Sequence, residues 1–136
     1  GIYGSQHLDT LTSLNNLASF YKKQQKYDQS ERLYCELYET RKTLLGENHI
    51  DTLTTMNNLA LVYQKEGELD KSERLLKSCY KLTEKMYGKN NLHTLNIMNN
   101  LASIYEEQEK YQESKQLYTE SYKISKEING KKHPQT

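Results

Sequence analysis

Several residue types are scarce in this sequence, and the scarcity of cysteine excludes a class of protein. Among 136 residues there are one proline, two cysteines, one phenylalanine and no tryptophan. Two cysteines are too few for the disulfide framework that small secreted domains use. We therefore expect Cys35 and Cys79 to be small, part-buried thiols in a reducing compartment, and the protein to be cytoplasmic.

Long apolar runs and an excess of either charge are missing as well. The apolar runs are only a few residues long, whereas a helix that spans a bilayer needs about 20. The first residues, Gly1-Ile2-Tyr3-Gly4, lack the charged and apolar regions of a signal peptide. The formal net charge is +1, from 19 basic and 18 acidic residues. This balance gives no reason to expect nucleic acid or a membrane as the main partner.

What the sequence does contain is an internal repeat of 42 residues that needs no gaps. The block Asn-Asn-Leu-Ala begins at Asn15 and returns at Asn57 and Asn99. Each unit closes on a glycine, at Gly46, Gly88 and Gly130. A fixed period of this length is typical of an array of stacked structural repeats.

The repeat divides the chain into five segments. Residues 7–48, 49–90 and 91–132 form three complete repeats. Residues 1–6 match the tail of a preceding repeat, and residues 133–136 match the head of a following one. We therefore expect the chain to be part of a longer array.

Within each repeat, the apolar residues have helical spacing. The stripe of the first helix in repeat one consists of Leu11, Leu14, Leu17, Ala18 and Tyr21. Asp9 or Thr10 is the expected N-cap of this helix. After a polar break at residues 22–26, a longer second helix is expected from Tyr27 until Gly46, which can end it in the left-handed conformation.

The same register predicts where the other helices begin. They should start near Asp51, Asp70, Thr94 and Gln112, and Gly130 should end the last of them. No alternation of period two persists anywhere, so we predict no strands.

The tyrosines fit this arrangement. All 12 occupy recurring repeat positions, and hydrophobic residues make up only 35% of the chain. A stacked repeat tolerates this, because each layer buries a thin core in which the tyrosine ring packs while its hydroxyl reaches water. Stacking of nucleic acid bases on these rings is the alternative, but no basic groove accompanies them.

Metal binding and catalysis have no support in the sequence. It contains no HExxH, CxxC pair, phosphate-binding Gly-rich loop or nucleophile elbow. Packed helices lie about 8–10 Å apart, which is too far for histidines of neighbouring repeats, such as His7 and His49, to share a zinc ion. We therefore predict no enzymatic activity, no metal and no cofactor, and expect the histidines to orient the turns before the first helices.

The repeated residues resemble a known family. The spacing large-x2-Leu-small-x2-Tyr, then small, then aromatic, resembles a tetratricopeptide repeat, and here it is formed by Leu14, Leu17, Ala18, Tyr21, Tyr27, Ser30 and Tyr34. The period of 42, the Asn-Asn-Leu-Ala block and the linker Leu-Gly-x-x-His are similar to the kinesin light chain subclass. Serine replaces the usual alanine at Ser30, Ser72 and Ser114. The resemblance implies an all-α fold, a right-handed α-solenoid of helix-turn-helix repeats.

The resemblance also implies a binding groove. In this family, first-helix residues outside the core stripe line the concave face. Transferred by register, they are Thr12, Asn15, Ser19, Lys22 and Lys23 in repeat one, Thr54, Asn57, Leu61, Gln64 and Lys65 in repeat two, and Asn96, Asn99, Ser103, Glu106 and Glu107 in repeat three. An asparagine amide both donates and accepts hydrogen bonds, so a ladder of Asn15, Asn57 and Asn99 could hold an extended peptide backbone.

Two further expectations concern the polar residues of the first helices. The neighbouring Asn16, Asn58 and Asn100 are expected to form structural hydrogen bonds between helices instead. The charge along the groove changes sign, from Lys22 and Lys23 to Glu106 and Glu107. This pattern favours a peptide with an acidic end near repeat one and a basic end near repeat three, unless these charges are merely solvated.

Three classes of function are compatible with these observations. The first is an adaptor that binds a protein or an extended peptide in the groove. The second is a structural array that stacks head to tail on copies of itself. The third is the sensor or regulatory arm of a larger protein whose active domain lies outside this sequence.

Overall fold

Six α-helices follow one another within the residues that the structure describes. The structure is a computed structural model that describes residues 2–132, with side chains from residue 8 to residue 130. The helices are α1 (Ile2–Lys23), α2 (Tyr27–Leu45), α3 (Ile50–Lys65), α4 (Leu69–Tyr87), α5 (Leu92–Glu107) and α6 (Tyr111–Lys132). No strand occurs in residues 2–132, as the helical spacing of the apolar residues predicted.

The described residues form two compact units, one ending at Glu68 and the other beginning at Leu69. In the first unit, α1 packs against α2, and α2 packs against α3. In the second unit, α4 packs against α5, and α5 packs against α6. The boundary between the units falls inside the second repeat, between its two helices.

Each unit has a thin apolar core built from the predicted stripes. In the first unit, Leu11 and Ala18 of α1 and Leu37 of α2 are buried. In the second unit, Leu95 and Met98 of α5 are buried together with Ile124 of α6, and Tyr80, Leu117 and Ile128 pack around them. The first helix α3 buries more than one face, since the consecutive residues Thr55, Met56 and Asn57 are all buried.

A serine hydrogen bond joins the two helices in repeats one and three. The hydroxyl of Ser30 in α2 donates a hydrogen bond of 2.8 Å to the carbonyl of Ala18 in α1. The equivalent hydroxyl of Ser114 in α6 donates one of 2.9 Å to the carbonyl of Ala102 in α5. All four residues are buried. The serines that replace the family's usual alanine therefore add a hydrogen bond while keeping the small volume that this contact requires.

The first helices of repeats two and three, α3 and α5, begin one or two residues earlier than predicted, because residues of the linker cap them. The imidazole Nδ1 of His49 accepts a hydrogen bond of 3.0 Å from the backbone N–H of Asp51. The side chain of Asn91 accepts one of 2.8 Å from the N–H of His93. These residues satisfy N–H groups that the first turn of a helix leaves unpaired.

The predicted N-cap of α1 is wrong. The helix begins at Ile2, so Asp9 and Thr10 lie inside it, where their N–H groups have helical partners and need no cap. The hydroxyl of Thr12 bonds to the carbonyl of Leu8 at 3.1 Å within the same helix. The assignment of residues 1–6 to a preceding repeat is one of sequence register and stays a prediction.

Two of the three repeat-closing glycines end helices as predicted. Gly46 has a φ of +97° after α2, and Gly88 has a φ of +82° after α4. The prediction for Gly130 is wrong, since α6 continues through it to Lys132. Glycine permits the left-handed conformation but does not impose it. The predicted head of a following repeat, residues 133–136, lies outside the described residues.

A shared backbone turn links the first helix of each repeat to the second. Its central residue has a positive φ in all three repeats: 62° at Gln25, 82° at Gly67 and 63° at Glu109. The N–H of this residue bonds to the carbonyl three residues earlier, and the next N–H bonds to the carbonyl five residues earlier, as in Lys26 to Tyr21 at 2.9 Å. These two bonds define a Schellman motif, which satisfies the last carbonyls of the helix.

Introducing glycine at the central residue of this turn should stabilise the protein, and removing glycine from it should destabilise the protein. Gln25→Gly and Glu109→Gly are each expected to stabilise the protein by about 0.5–1 kcal/mol, because glycine has no Cβ to clash in the left-handed region. For the same reason, Gly67→Ala should cost about 1 kcal/mol. Urea unfolding followed by circular dichroism measures these changes.

Gly130→Ala is the matched control for this series. Gly130 lies inside α6, and a Cβ there would meet no other atom within 4 Å, so alanine should stabilise by about 0.5–1 kcal/mol through helix propensity. If Gly67→Ala and Gly130→Ala shifted stability in the same direction, the turn analysis would be contradicted.

Candidate functional site on the first helices

The predicted groove residues of the first unit lie on α1 and α3 and differ in access. On α1, Thr12 and Lys23 are exposed, while Asn15, Ser19 and Lys22 are half-buried. On α3, Lys65 is exposed and Thr54, Leu61 and Gln64 are half-buried. Asn57 is only 6% exposed, and it already has an interaction within the protein.

The predicted groove residues of the second unit lie on α5 and are more open. Four of them are exposed, namely Asn96, Asn99, Glu106 and Glu107, and Ser103 is half-buried. The predicted asparagine ladder therefore consists of three residues with different surroundings: Asn15 is half-buried, Asn57 is buried and Asn99 is exposed.

The second asparagine of each pair also varies. Asn58 and Asn100 are half-buried, whereas Asn16 is exposed. A hydrogen bond between helices needs a side chain that lies in their contact. The expected structural role therefore suits Asn58 and Asn100 better than Asn16.

Two of the predicted groove residues have partners that the sequence analysis missed. The hydroxyl of Ser19 on α1 is hydrogen-bonded to the hydroxyl of Tyr34 on α2. In the second unit, Ser103 on α5 interacts in the same way with Tyr118 on α6, whose hydroxyl also donates to Glu106 Oε1 at 3.3 Å. The sequence carried a signal for this pairing, because repeat two has leucine at both equivalent positions, Leu61 and Leu76.

The ends of the first helices carry opposite charges. In the first unit, burial and the nearby ammonium group of Lys65 lower the pKa of Lys22 below its usual value. Cations from two successive first helices, α1 and α3, are therefore close enough to repel each other. In the second unit, α5 ends with the exposed carboxylates of Glu106 and Glu107.

Neither of the two cysteine thiols is activated as a nucleophile. The thiols of Cys35 and Cys79 are free. Burial raises the pKa of both thiols, that of Cys79 to about 11, so at neutral pH they are protonated and poor nucleophiles. Among the described residues, no three His, Cys, Asp or Glu side chains are grouped so that they could hold a metal ion.

No helix in the described part of the chain has both the length and the apolar character that a bilayer crossing requires.

Helix-turn-helix pairs in which a small residue of the second helix contacts the first, as Ser30 and Ser114 do, are typical of a tetratricopeptide repeat. A family model described as tetratricopeptide repeat matches the sequence three times, at residues 9–85, 51–127 and 93–136. The chain therefore belongs to the tetratricopeptide repeat family. Such repeats are generally protein-interaction scaffolds and typically not catalytic. No curated protein matches the sequence.

Solved structures have the same fold. BtubC (BKLC) from P. vanneervenii is similar with a TM-score of 0.81 and 23% identity, over 88% of this chain and 48% of that one. A putative kinesin light chain from Podosopora anserina with nearly identical TPR-like repeats is similar with a TM-score of 0.76 and 21% identity, over 92% of this chain and 57% of that one. A point variant of that Podosopora anserina protein gives a TM-score of 0.79 and 20% identity, over 88% of this chain and 56% of that one.

These comparisons confirm the fold class, an all-α solenoid of tetratricopeptide repeats, and its kinesin light chain-like kind. At these identities the likeness concerns the fold alone. The chain spans about half the length of the solved structures that it matches.

The burial of the two thiols predicts an order of chemical modification. At neutral pH, a thiol reagent such as Ellman's reagent should modify half-buried Cys35 slowly in the folded protein, and Cys79 only after unfolding in denaturant, because Cys79 is 0% exposed. The variants Cys35→Ser and Cys79→Ser assign each phase. Rapid modification of Cys79 in the folded protein would contradict its burial.

Proposed function

We propose that this array is an adaptor that binds an extended peptide or protein segment across the first helices of its repeats. The observation that carries the proposal is the set of polar side chains on α1 and α3, where the half-buried Asn15 lies on the same helix as Lys22, and Lys65 adds a second cation. Two cations that already repel each other gain from a bound anion, which relieves the repulsion.

The chemistry of this surface favours a ligand with an acidic segment at repeat one. A carboxylate can accept hydrogen bonds from the ammonium groups of Lys22 and Lys65, which are stronger than bonds between neutral groups. The amide of Asn15 can both donate to and accept from a peptide backbone, whatever the side chains of the peptide. At repeat three, Glu106 and Glu107 favour a basic segment of the ligand. We place this adaptor in the cytoplasm, where free thiols stay reduced.

An unbiased peptide selection on the purified protein tests the groove. We expect an enriched motif whose binding falls about fivefold in Asn15→Ala, since a hydrogen bond to a bound backbone contributes about 1 kcal/mol. Asn99→Ala should weaken the same motif. The buried Asn57 is left unchanged, so that loss of binding is not confused with loss of folding.

Asn16→Ala is the matched control for Asn15→Ala. It removes the same side chain from the neighbouring position of the same helix, where the side chain is exposed. Equal weakening by Asn15→Ala and Asn16→Ala, or no enriched peptide at all, would remove the groove as the binding site.

Two double variants test the preference of the groove for an acidic peptide. Lys22→Glu with Lys23→Glu should weaken binding of an acidic peptide by more than tenfold, most strongly at low salt. Lys115→Glu with Lys123→Glu makes the same change in net charge on exposed positions of α6. If both pairs weakened binding equally, the effect would be one of overall charge and not of the groove.

A second candidate function, head-to-tail self-association, is favoured by uncovered apolar side chains on α1 and α6. Phe20 of α1 is 53% exposed, whereas the equivalent Val62 and Ile104 are 0% exposed. On α6, Tyr118 is 40% exposed, whereas the equivalent Tyr34 is 3% exposed. A first helix of one copy could cover the second-helix tyrosines of another, as α3 packs against α2 within the first unit.

Light scattering over a concentration series tests self-association. We expect the average mass to grow with concentration, and Phe20→Lys to reduce this growth by burying a charge in the contact. Leu92→Lys is the control, since Leu92 is 62% exposed at the start of α5, outside the proposed contact. A wild-type protein that remains monomeric at its highest concentration would exclude this candidate.

A further inference from the structure

The residues that follow α3 and α5 occupy the same repeat position but differ in chemistry. Glu66 follows α3 and Gln108 follows α5, each as the last residue in helical conformation before the turn. In both residues the side-chain oxygen Oε1 is buried and has no hydrogen-bond partner. The two side chains thus share a repeat position and a buried oxygen, but the second terminal atom is an oxygen in Glu66 and an amide nitrogen in Gln108.

In the second unit, the amide makes this position a hydrogen-bond donor. Gln108 Nε2 donates to Asp70 Oδ1 of α4 at 3.2 Å. The neighbouring carboxylate of Glu73 accepts from Lys110 at 3.2 Å and from Lys77 at 3.0 Å. Asp70 and Glu73 of α4 thus each have a hydrogen-bond donor.

In the first unit, the corresponding donors are missing from the sequence. Asp28 and Glu31 of α2 are the equivalents of Asp70 and Glu73. Opposite them stands Glu66, while glutamate replaces Lys110 at Glu68 and cysteine replaces Lys77 at Cys35. An ionised glutamate can only accept hydrogen bonds, so three carboxylates would meet without a donor from these positions.

We infer that Glu66 carries a proton when α3 is packed against α2, and that loss of this proton weakens the contact between repeats one and two. Protonation turns one oxygen of Glu66 into a hydroxyl donor, which can bond to Asp28 or Glu31 as Gln108 bonds to Asp70. The first unit therefore contains a proton-sensitive contact where the second unit has a permanent one. The inference does not depend on peptide binding.

The groups around Glu66 favour its protonated form, as the inference requires. Burial, together with the neighbouring Glu31 and Asp28 of α2, raises the pKa of Glu66 to about 7. From its own helix it is faced by Tyr63, whose pKa is also raised by burial and by the charges nearby. Lys26 lies with Asp28 and Glu66 in a shallow open cleft between α2 and α3.

The sign of the effect follows from linkage. The pKa of Glu66 is about 4.5 in the unfolded chain and about 7 in the folded one, so the folded state binds the proton more tightly. The stabilisation is fully present below pH 4.5 and is lost as the pH rises through 7. The melting temperature should therefore be lower at pH 8 than at pH 5.5.

Glu66→Gln tests the inference, because it gives repeat two the residue that repeat three already has. At pH 8 we expect this variant to melt at a higher temperature than the wild type, and the difference should shrink as the pH falls towards 4.5. All other residues are the same in both proteins, so their contribution cancels in the difference between the two pH profiles. If the profiles of wild type and Glu66→Gln run parallel from pH 5.5 to 8, the inference is overturned.

The reciprocal substitution, Gln108→Glu, provides a second test that does not depend on the Glu66→Gln variant. Gln108→Glu should melt at a lower temperature than the wild type at pH 8, and its deficit should shrink towards pH 5.5. Lys77 and Lys110 remain nearby in the second unit, so this deficit should be smaller than the gain from Glu66→Gln. Direct titration of the Glu66 carboxyl carbon by NMR should give a midpoint near pH 7; a midpoint below pH 5 would overturn the inference.

Discussion

The contact between a buried alanine of one helix and a buried serine of the next sets the geometry on which the rest of this fold depends. The hydrogen bonds from Ser30 to the Ala18 carbonyl and from Ser114 to the Ala102 carbonyl require the two backbones to approach closely. Larger side chains at these positions would separate the helices and open the thin core. With this distance fixed, the apolar residues of the paired helices meet, and the exposed helix surface is available for polar side chains.

The repeat made most of the fold predictable, because a period without gaps multiplies each local signal by three. Helix type, helix order, the starts of α2 to α6 within two residues and the ends at Gly46 and Gly88 all followed from it. The predictions for the first and last helices were wrong because the register assumes that equivalent residues have equivalent neighbours. Gly130 remains helical in α6, for example, although Gly46 and Gly88 end α2 and α4.

The candidate site was predictable in position but not in environment. Register placed the polar residues on the first helices, yet Asn57 is buried while Asn99 is exposed. Ser19 and Ser103 bond to tyrosines of the second helices, a pairing that becomes visible only when two repeat positions are compared together. Burial and partnership depend on the neighbouring helix, and a pattern within one helix carries no information about them. Comparing Glu66 with Gln108 shows the same point for charge.

The Schellman turns have a consequence for how such an array can diverge. Their hydrogen bonds run entirely between backbone groups, so the turn does not constrain the side chain of the residue that follows its left-handed position. That residue is Lys26, Glu68 or Lys110 in the three repeats. Mutation can thus reverse a charge at the junction between two repeats while the path of the chain is preserved. Repeats that began as identical copies could in this way come to carry different charges at each junction, with every intermediate sequence still able to fold.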